Sequence, residues 1–292
     1  MGGTVAGLAV TARDFGLEGP RGWAFRGISF AAEPGSLIAV EGPSGSGRTS
    51  LLLALTGRMK ATEGTAVVGD ARLPKQMAAL RRVSALAHVP GVTDLDPALT
   101  VGEHLRERAL LERRFGVSLR GLLRPRAERA REARLRIDAA LTAAGLDRQA
   151  LPKGSRTSVR DLERVEALRL SIALALVGRP RLLGVDDTDL KLSDAERAEV
   201  WALLRSLTEG GTTVVAVCSE APGDAVVVST ERGGGDVPEA PEPGGDGAAD
   251  DVPEDPEGAD SDVPDERDGR DGQAARDDAK EAADAFAEAG RA

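Results

Sequence analysis

"EGPSGSGRTS", residues 41–50, decides how the rest of the chain is read. Its glycines fall at Gly42, Gly45 and Gly47, followed by Arg48 and the hydroxyl pair Thr49 and Ser50. This is the spacing of a loop that cradles phosphate with backbone N–H groups at a helix N-terminus, except that arginine stands where such loops carry lysine. The flanks agree. "SLIAV" (36–40), after Pro34-Gly35, is a short β-rich apolar run that predicts a buried strand, and "TSLLLALTG" (49–57) predicts a helix closed by Gly57. Strand, loop and helix in that order make Gly42, Pro43, Ser44, Gly45, Ser46, Gly47, Arg48, Thr49 and Ser50 the candidate ATP-binding residues, with the Thr49 hydroxyl offered to Mg2+.

Outward from this loop, "LAVTARDF" (8–15) and "GWAFRGISFAAEPG" (22–35) alternate as antiparallel strands do, and "EGTAVVGDARLP" (63–74) reads as a further hairpin. From Val101 to about Gly145 the period becomes helical. Ala133, Ile137, Ala140, Leu141 and Ala144 share one face, and Gly145 is a candidate C-cap. "RPRLLGVDDTD" (179–189) is a second apolar strand that ends in acids. "LSDAERAEVWALLRSL" (192–207) is a helix with Ser193 as N-cap and Glu196 completing a capping box, and "GTTVVAVCS" (211–219) is a third β-rich run. The alternation predicts a mostly parallel sheet flanked by helices.

Charge divides the 292-residue chain unevenly. Net charge is −10, yet residues 231–292 hold 21 Asp and Glu against 6 Lys and Arg, which leaves the first 230 residues at +5. The Pro-, Gly- and acid-rich stretch, with Phe286 as its one aromatic residue, cannot bury enough surface to offset its ordering entropy and is expected to be disordered. Cys218 is the only cysteine, which excludes an internal disulfide and fits a reducing compartment. The N-terminus lacks the basic and apolar regions of a signal peptide. "SIALALVG" (171–178), the longest apolar stretch, is far short of the roughly 20 residues that span a bilayer. The arginine-dense "RGLLRPRAERAREARLR" (120–136) is read as a solvated helix face. No aromatics interleave there to stack bases, and no nucleic-acid partner is expected.

The two histidines, His88 and His104, have no carboxylate or cysteine constellation around them in sequence and are read as structural or surface residues. Cys218 in its apolar run reads as a small buried hydrophobe. Phe15 and Trp23 are each open to two readings, core packing or stacking on an adenine base.

Together these stretches resemble the ATP-binding subunit of an ABC transporter, and the resemblance covers residues 4–230. "ATEGTAVVGDARLP" is similar to the family's segment after the first helix. "AHVPGVTDLDPALTVGEHLRERALL" resembles its Q-loop region and the start of its helical subdomain, about residues 101–165. "ALALVGRPRLLGVDD" resembles the helix that runs into Walker B, and "TEGGTTVVAVCSE" the last strand. The resemblance implies an α/β P-loop NTPase cassette: a mostly parallel core, an antiparallel β subdomain and a helical subdomain. It places Asp186 as the Walker B aspartate that holds Mg2+ and Asp187 at the catalytic glutamate.

The same resemblance exposes departures from the family's pattern. Arg48 replaces the Walker A lysine, and Gly91 falls on the Q-loop glutamine. "LERVE" (Leu162–Glu166) falls on the signature, Ser193 on the D-loop aspartate and Ser219 on the switch histidine. Arginine remains cationic and phosphate-seeking, so binding is expected to weaken rather than vanish. Asp187 is one methylene shorter than glutamate, and a displacement near ~1 Å can cost about 100-fold in rate. The expectation is therefore a cytosolic subunit at the inner face of the membrane. It binds Mg-ATP with impaired hydrolysis, and it pairs with a second cassette and an integral membrane transport protein. The alternatives are a nucleotide-sensing scaffold for a membrane partner and an ABC ATPase acting on ribosomes or DNA.

Overall fold

The computed structural model describes residues 6–115 and 125–230. Two sheets organise them. The first is antiparallel, with β1 (Val10–Gly19) between β2 (Gly22–Ala32) and β4 (Glu63–Val68), and β5 (Ala71–Leu73) beyond β4. The second is parallel. Its strands lie in the order β6 (Ser84–Ala87), β7 (Leu182–Val185), β8 (Thr213–Val217), β3 (Leu37–Glu41), β9 (Val226–Ser229). The sequence-predicted strands at 36–40, 179–189 and 211–219 are β3, β7 and β8.

The parallel strands are apolar at nearly every position because both faces of their sheet are covered. In β3, Ile38 and Val40 enter one core while Leu37 and Ala39 enter the other. Val215 and Val217 of β8 join the first, and Val214 and Ala216 the second. The first core packs α1 (Arg48–Leu55), through Leu51, Leu52 and Leu55, together with the antiparallel sheet. The second packs α5 (Arg164–Leu176) and α6 (Asp194–Glu209), with Leu170, Ile172, Trp201 and Leu204. A short helix, α2 (Met77–Arg81), leads into β6.

The helical stretch contains α3 (Val101–Phe115) and α4 (Arg126–Ala143). The face read from periodicity points inward. Ala140, Leu141 and Ala144 are buried, while Ala133 and Ile137 are half-buried. Val101 and Leu105 of α3 share that core, so both helices are anchored at their sheet-proximal ends. Gly145, at φ 63°, ends α4 as predicted, with the Leu146 N–H reaching back to the Leu141 carbonyl at 3.0 Å. The Ser193–Glu196 capping box is also present. No helix among the described residues is long and apolar enough to cross a membrane. The acidic stretch 231–292 lies outside the described residues.

Candidate nucleotide site

Residues 42–46 connect β3 to α1, Gly47 is the helix N-cap, and Arg48, Thr49 and Ser50 form the first turn. Gly47 has φ 88°, and a Cβ built on it would lie 1.9 Å from the carbonyl oxygen of Ala24 in β2. Only glycine fits between β2 and the turn, and its bare backbone lets the helix's first N–H groups face outward without intrahelical partners. Ser46 Oγ meets Thr230 Oγ1 at 2.5 Å, which fixes the loop to the end of β9.

Across the loop, the Thr49 hydroxyl donates to Asp186 Oδ2 at 2.7 Å. Asp186 follows β7 and is 1% exposed. Burial pushes its carboxyl above the usual range. Hydrogen bonds from Thr49 and from the Asp187 N–H (2.9 Å), with the charge of Arg48, act in the opposite direction. These hard oxygen donors fit Mg2+, which binds through one or two carboxylates plus substrate phosphates rather than in an all-protein cage. No group of three or more His, Cys, Asp or Glu able to hold a metal occurs among the described residues, so phosphate and water oxygens would complete the shell.

The surroundings of this pair are satisfied from within the protein. Arg48 Nη1 donates to the carbonyl of Cys218 at 2.5 Å, tying the loop's cation to the end of β8. Immediately beyond, Asp189 (8% exposed) accepts from the Ser219 N–H (2.7 Å), the Ser219 hydroxyl (3.3 Å) and the Glu220 N–H (3.4 Å). The Ala221 N–H donates to Glu41 Oε2 at 3.1 Å. Three successive backbone N–H groups after β8 are thus held by two carboxylates. Asp187 has φ 47°, a left-handed backbone for a non-glycine residue, beside the pair.

Gly91 lies after β6 with φ 73°, its N–H donating to Asp94 Oδ2 at 2.8 Å. Of the Leu162–Glu166 stretch, Glu163 is the N-cap of α5. Its side chain accepts from the Glu166 N–H, while the Glu166 side chain accepts from the Glu163 N–H at 2.9 Å. That helix N-terminus therefore carries its own acceptors. Arg164 Nη1 reaches the Leu190 carbonyl at 3.5 Å, and Ser193 is occupied as the cap of α6.

The sequence did not single out Asp189 or Glu41, because nothing in "VDDTD" or "AVEG" marks which acid turns toward a neighbouring loop. His88 also differs from its bland reading. It follows β6 with φ 52°, its N–H donates to Ser171 Oγ at 2.7 Å, and it feels the charges of Asp187 and Asp186. Burial holds the imidazole below its ordinary pKa against the pull of those two acids. Of the two aromatic candidates, Phe15 is fully buried against Phe25, with ring centroids 5.8 Å apart, and is a core residue.

Comparison with known proteins agrees with this geometry. A family model described as ABC transporter matches residues 25–189. The chain is 32% identical over 190 residues to a Nod factor export ATP-binding protein I of Burkholderia thailandensis, covering 65% of this chain and 55% of that protein. It is 29% identical over 228 residues to a cytochrome c biogenesis ATP-binding export protein of Cupriavidus pinatubonensis, covering 77% and 90%. The chain spans about half the length of the Nod factor relative. Among solved structures, cbiO1 from Clostridium perfringens superposes with TM-score 0.57 at 19% identity, covering 72% of this chain and 78% of that one. The cassette MJ0796 bound to ADP and Pi superposes with TM-score 0.55 at 21% identity, covering 72% and 88%. These structural likenesses speak for the fold.

Proposed function

The chain belongs to the ABC transporter family, and on that premise we propose that it is the ATP-binding subunit of a membrane transport complex, binding Mg-ATP but hydrolysing it very slowly or not at all. The cassette is assigned to residues 4–230, its helical subdomain to about 101–165, with 231–292 lying beyond it. The observation that carries the binding half is the Thr49–Asp186 contact across a loop that admits only glycine at its N-cap. Gly42 to Ser50 would surround the phosphates, and Thr49 and Asp186 would hold Mg2+, which when bound neutralises charge on the outer phosphates.

Impaired hydrolysis is supported by what the other side chains are already engaged in. Ser219 offers no imidazole, and both its N–H and its hydroxyl are committed to Asp189. Asp187 offers a shorter carboxylate than glutamate, and Gly91 offers no side chain at all. At the start of α5, Glu163 and Glu166 satisfy the helix N-terminus and place carboxylates where a second cassette would present its phosphate. That capping box is the observation favouring the runner-up, a nucleotide-sensing scaffold without turnover.

A partner surface is supported by a cavity of about 670 Å³ between β6, α3 and α5. Val92, Leu95, Leu111 and Leu174 give it apolar walls, and Arg58, Arg108 and Glu107 charge its lining. Leu111 and Val92 are exposed there, which suits docking of an amphipathic helix of an integral membrane transport protein. The protein would then sit peripherally at the inner face of the cell membrane, paired with a second cassette of the same or a different kind. Calorimetry on the full chain is expected to show Mg-ATP binding below millimolar, with turnover below about 1 per second. Absence of binding at millimolar ATP, or faster turnover, overturns the reading.

A further inference from the structure

Trp23 precedes Ala24, the residue whose carbonyl presses against Gly47, so its indole stands beside the phosphate loop. One part of the ring rests on Gly16, where a built Cβ would lie 3.1 Å from the indole Cζ3. Over the ring sits the guanidinium of Arg26, its Cζ 4.5 Å from the centroid. Glu63 braces that guanidinium, accepting from Nε at 3.0 Å and from Nη2 at 3.4 Å. The Arg26 side chain is still 59% exposed. With Phe15 buried in the core, neither aromatic candidate leaves a free face for a base.

We propose that Arg26, stacked on Trp23 and braced by Glu63, is the platform on which the nucleobase lies, and that the chain consequently accepts nucleoside triphosphates with little regard to the base. The inference rests on the nucleotide-binding reading above. A guanidinium is planar and weakly hydrated, so one of its faces can lie on the indole while the other meets a ligand ring. Every nucleobase has a π-face, and stacking carries no donor–acceptor code, so such a platform binds without discriminating. The bidentate hold of Glu63 keeps the plane from swinging into solvent and lowers the ordering cost when the base arrives.

The test is calorimetry with the full chain and Mg2+, titrating ATP, GTP, CTP and inorganic tripolyphosphate. The three nucleotides are expected to agree within about threefold. Arg26→Ala should weaken all three by about tenfold and leave tripolyphosphate unchanged, since the stack contributes only to the base. Arg26→Lys should not restore them, because an ammonium has no plane to stack. Glu63→Gln should weaken nucleotides by a smaller factor, again sparing tripolyphosphate. If Arg26→Ala leaves ATP affinity unchanged or raises it, the base lies on the bare indole or elsewhere, and the proposal is overturned. A wild-type preference for ATP over GTP of about 100-fold or more, implying hydrogen-bond readout, overturns it as well. Tripolyphosphate binding with an indifferent Arg26 sinks this inference alone. Failure of tripolyphosphate and nucleotides alike sinks the binding reading and this inference together.

Discussion

The phosphate loop and the segment after β8 stand at the same end of one sheet, joined by the Arg48–Cys218 hydrogen bond, yet they are built on opposite terms. In the loop, the chain leaves room. Gly47 has no space for a side chain and α1 begins with unpaired N–H groups, so a negatively charged guest completes the structure. Beyond β8 the chain completes itself. Asp189 and Glu41 take up the N–H groups of Ser219, Glu220 and Ala221. Where a polar group is already satisfied, recruiting it for a ligand means breaking a bond of similar strength, so the net gain is small. A site's capacity for chemistry therefore depends on which polar groups the fold leaves without partners.

That contrast can be broken most severely at Gly47. Gly47→Asp inserts a Cβ into the Ala24 carbonyl at a left-handed φ and brings a carboxylate to the phosphate position. The expected result is complete loss of Mg-ATP binding by calorimetry, and destabilisation of about 3 kcal/mol in urea unfolding. Retained binding would mean that the loop is more pliable than its geometry implies.

Next in size is Asp189→Ala, which strips the Ser219 and Glu220 N–H groups of their carboxylate. It should cost about 2 kcal/mol of stability. Hydrogen exchange at residues 219–220 should accelerate more than at residues 42–50. Equal acceleration in both segments would show that the two are one unit, contrary to the comparison.

A smaller loss is expected from Glu163→Ala, about 1 kcal/mol, because the reciprocal cap of α5 is broken. Binding to the phosphate loop of the isolated chain should be unchanged. The smallest effect belongs to Asp187→Glu. Restoring one methylene leaves Gly91, Ser219 and the α5 cap as they are, so turnover should change by less than about tenfold, because residues acting as a unit do not contribute additively. A rise to about 1 per second or more would place the whole deficit at that one carboxylate.

Most of the scaffold was legible in the sequence because it is written in periods. The apolar runs at 36–40 and 211–219 need no partner to be read as buried strands, and the helix face ending at Ala144 follows from spacing alone. Phosphate binding was legible for a related reason: glycine spacing encodes backbone geometry locally. The aromatic question was not legible. β1 has register shifts between Ala12 and Phe15 and again before Leu17, so alternation fails to say whether Phe15 points in or out. The clamp on Ser219 was hidden for a different reason. Asp189 and Ser219 are thirty residues apart, and only β7 pairing with β8 brings their strand ends together. The "LERVE" stretch was read for what it lacks, although its Glu163 and Glu166 spacing is itself a helix-start signal.

The bond from Arg48 to the Cys218 carbonyl has a practical consequence. Cys218 is the chain's single thiol, it is 1% exposed, and burial pushes its pKa up to about 12. In the closed protein it should resist alkylation, because the thiolate is the reacting form. Modification then requires the end of β8 to open, and its rate becomes a clock for that opening with no label engineered in. A nucleotide that draws Arg48 away from the carbonyl should change the speed of that clock, so the wild-type chain carries its own chemical reporter of loop occupancy.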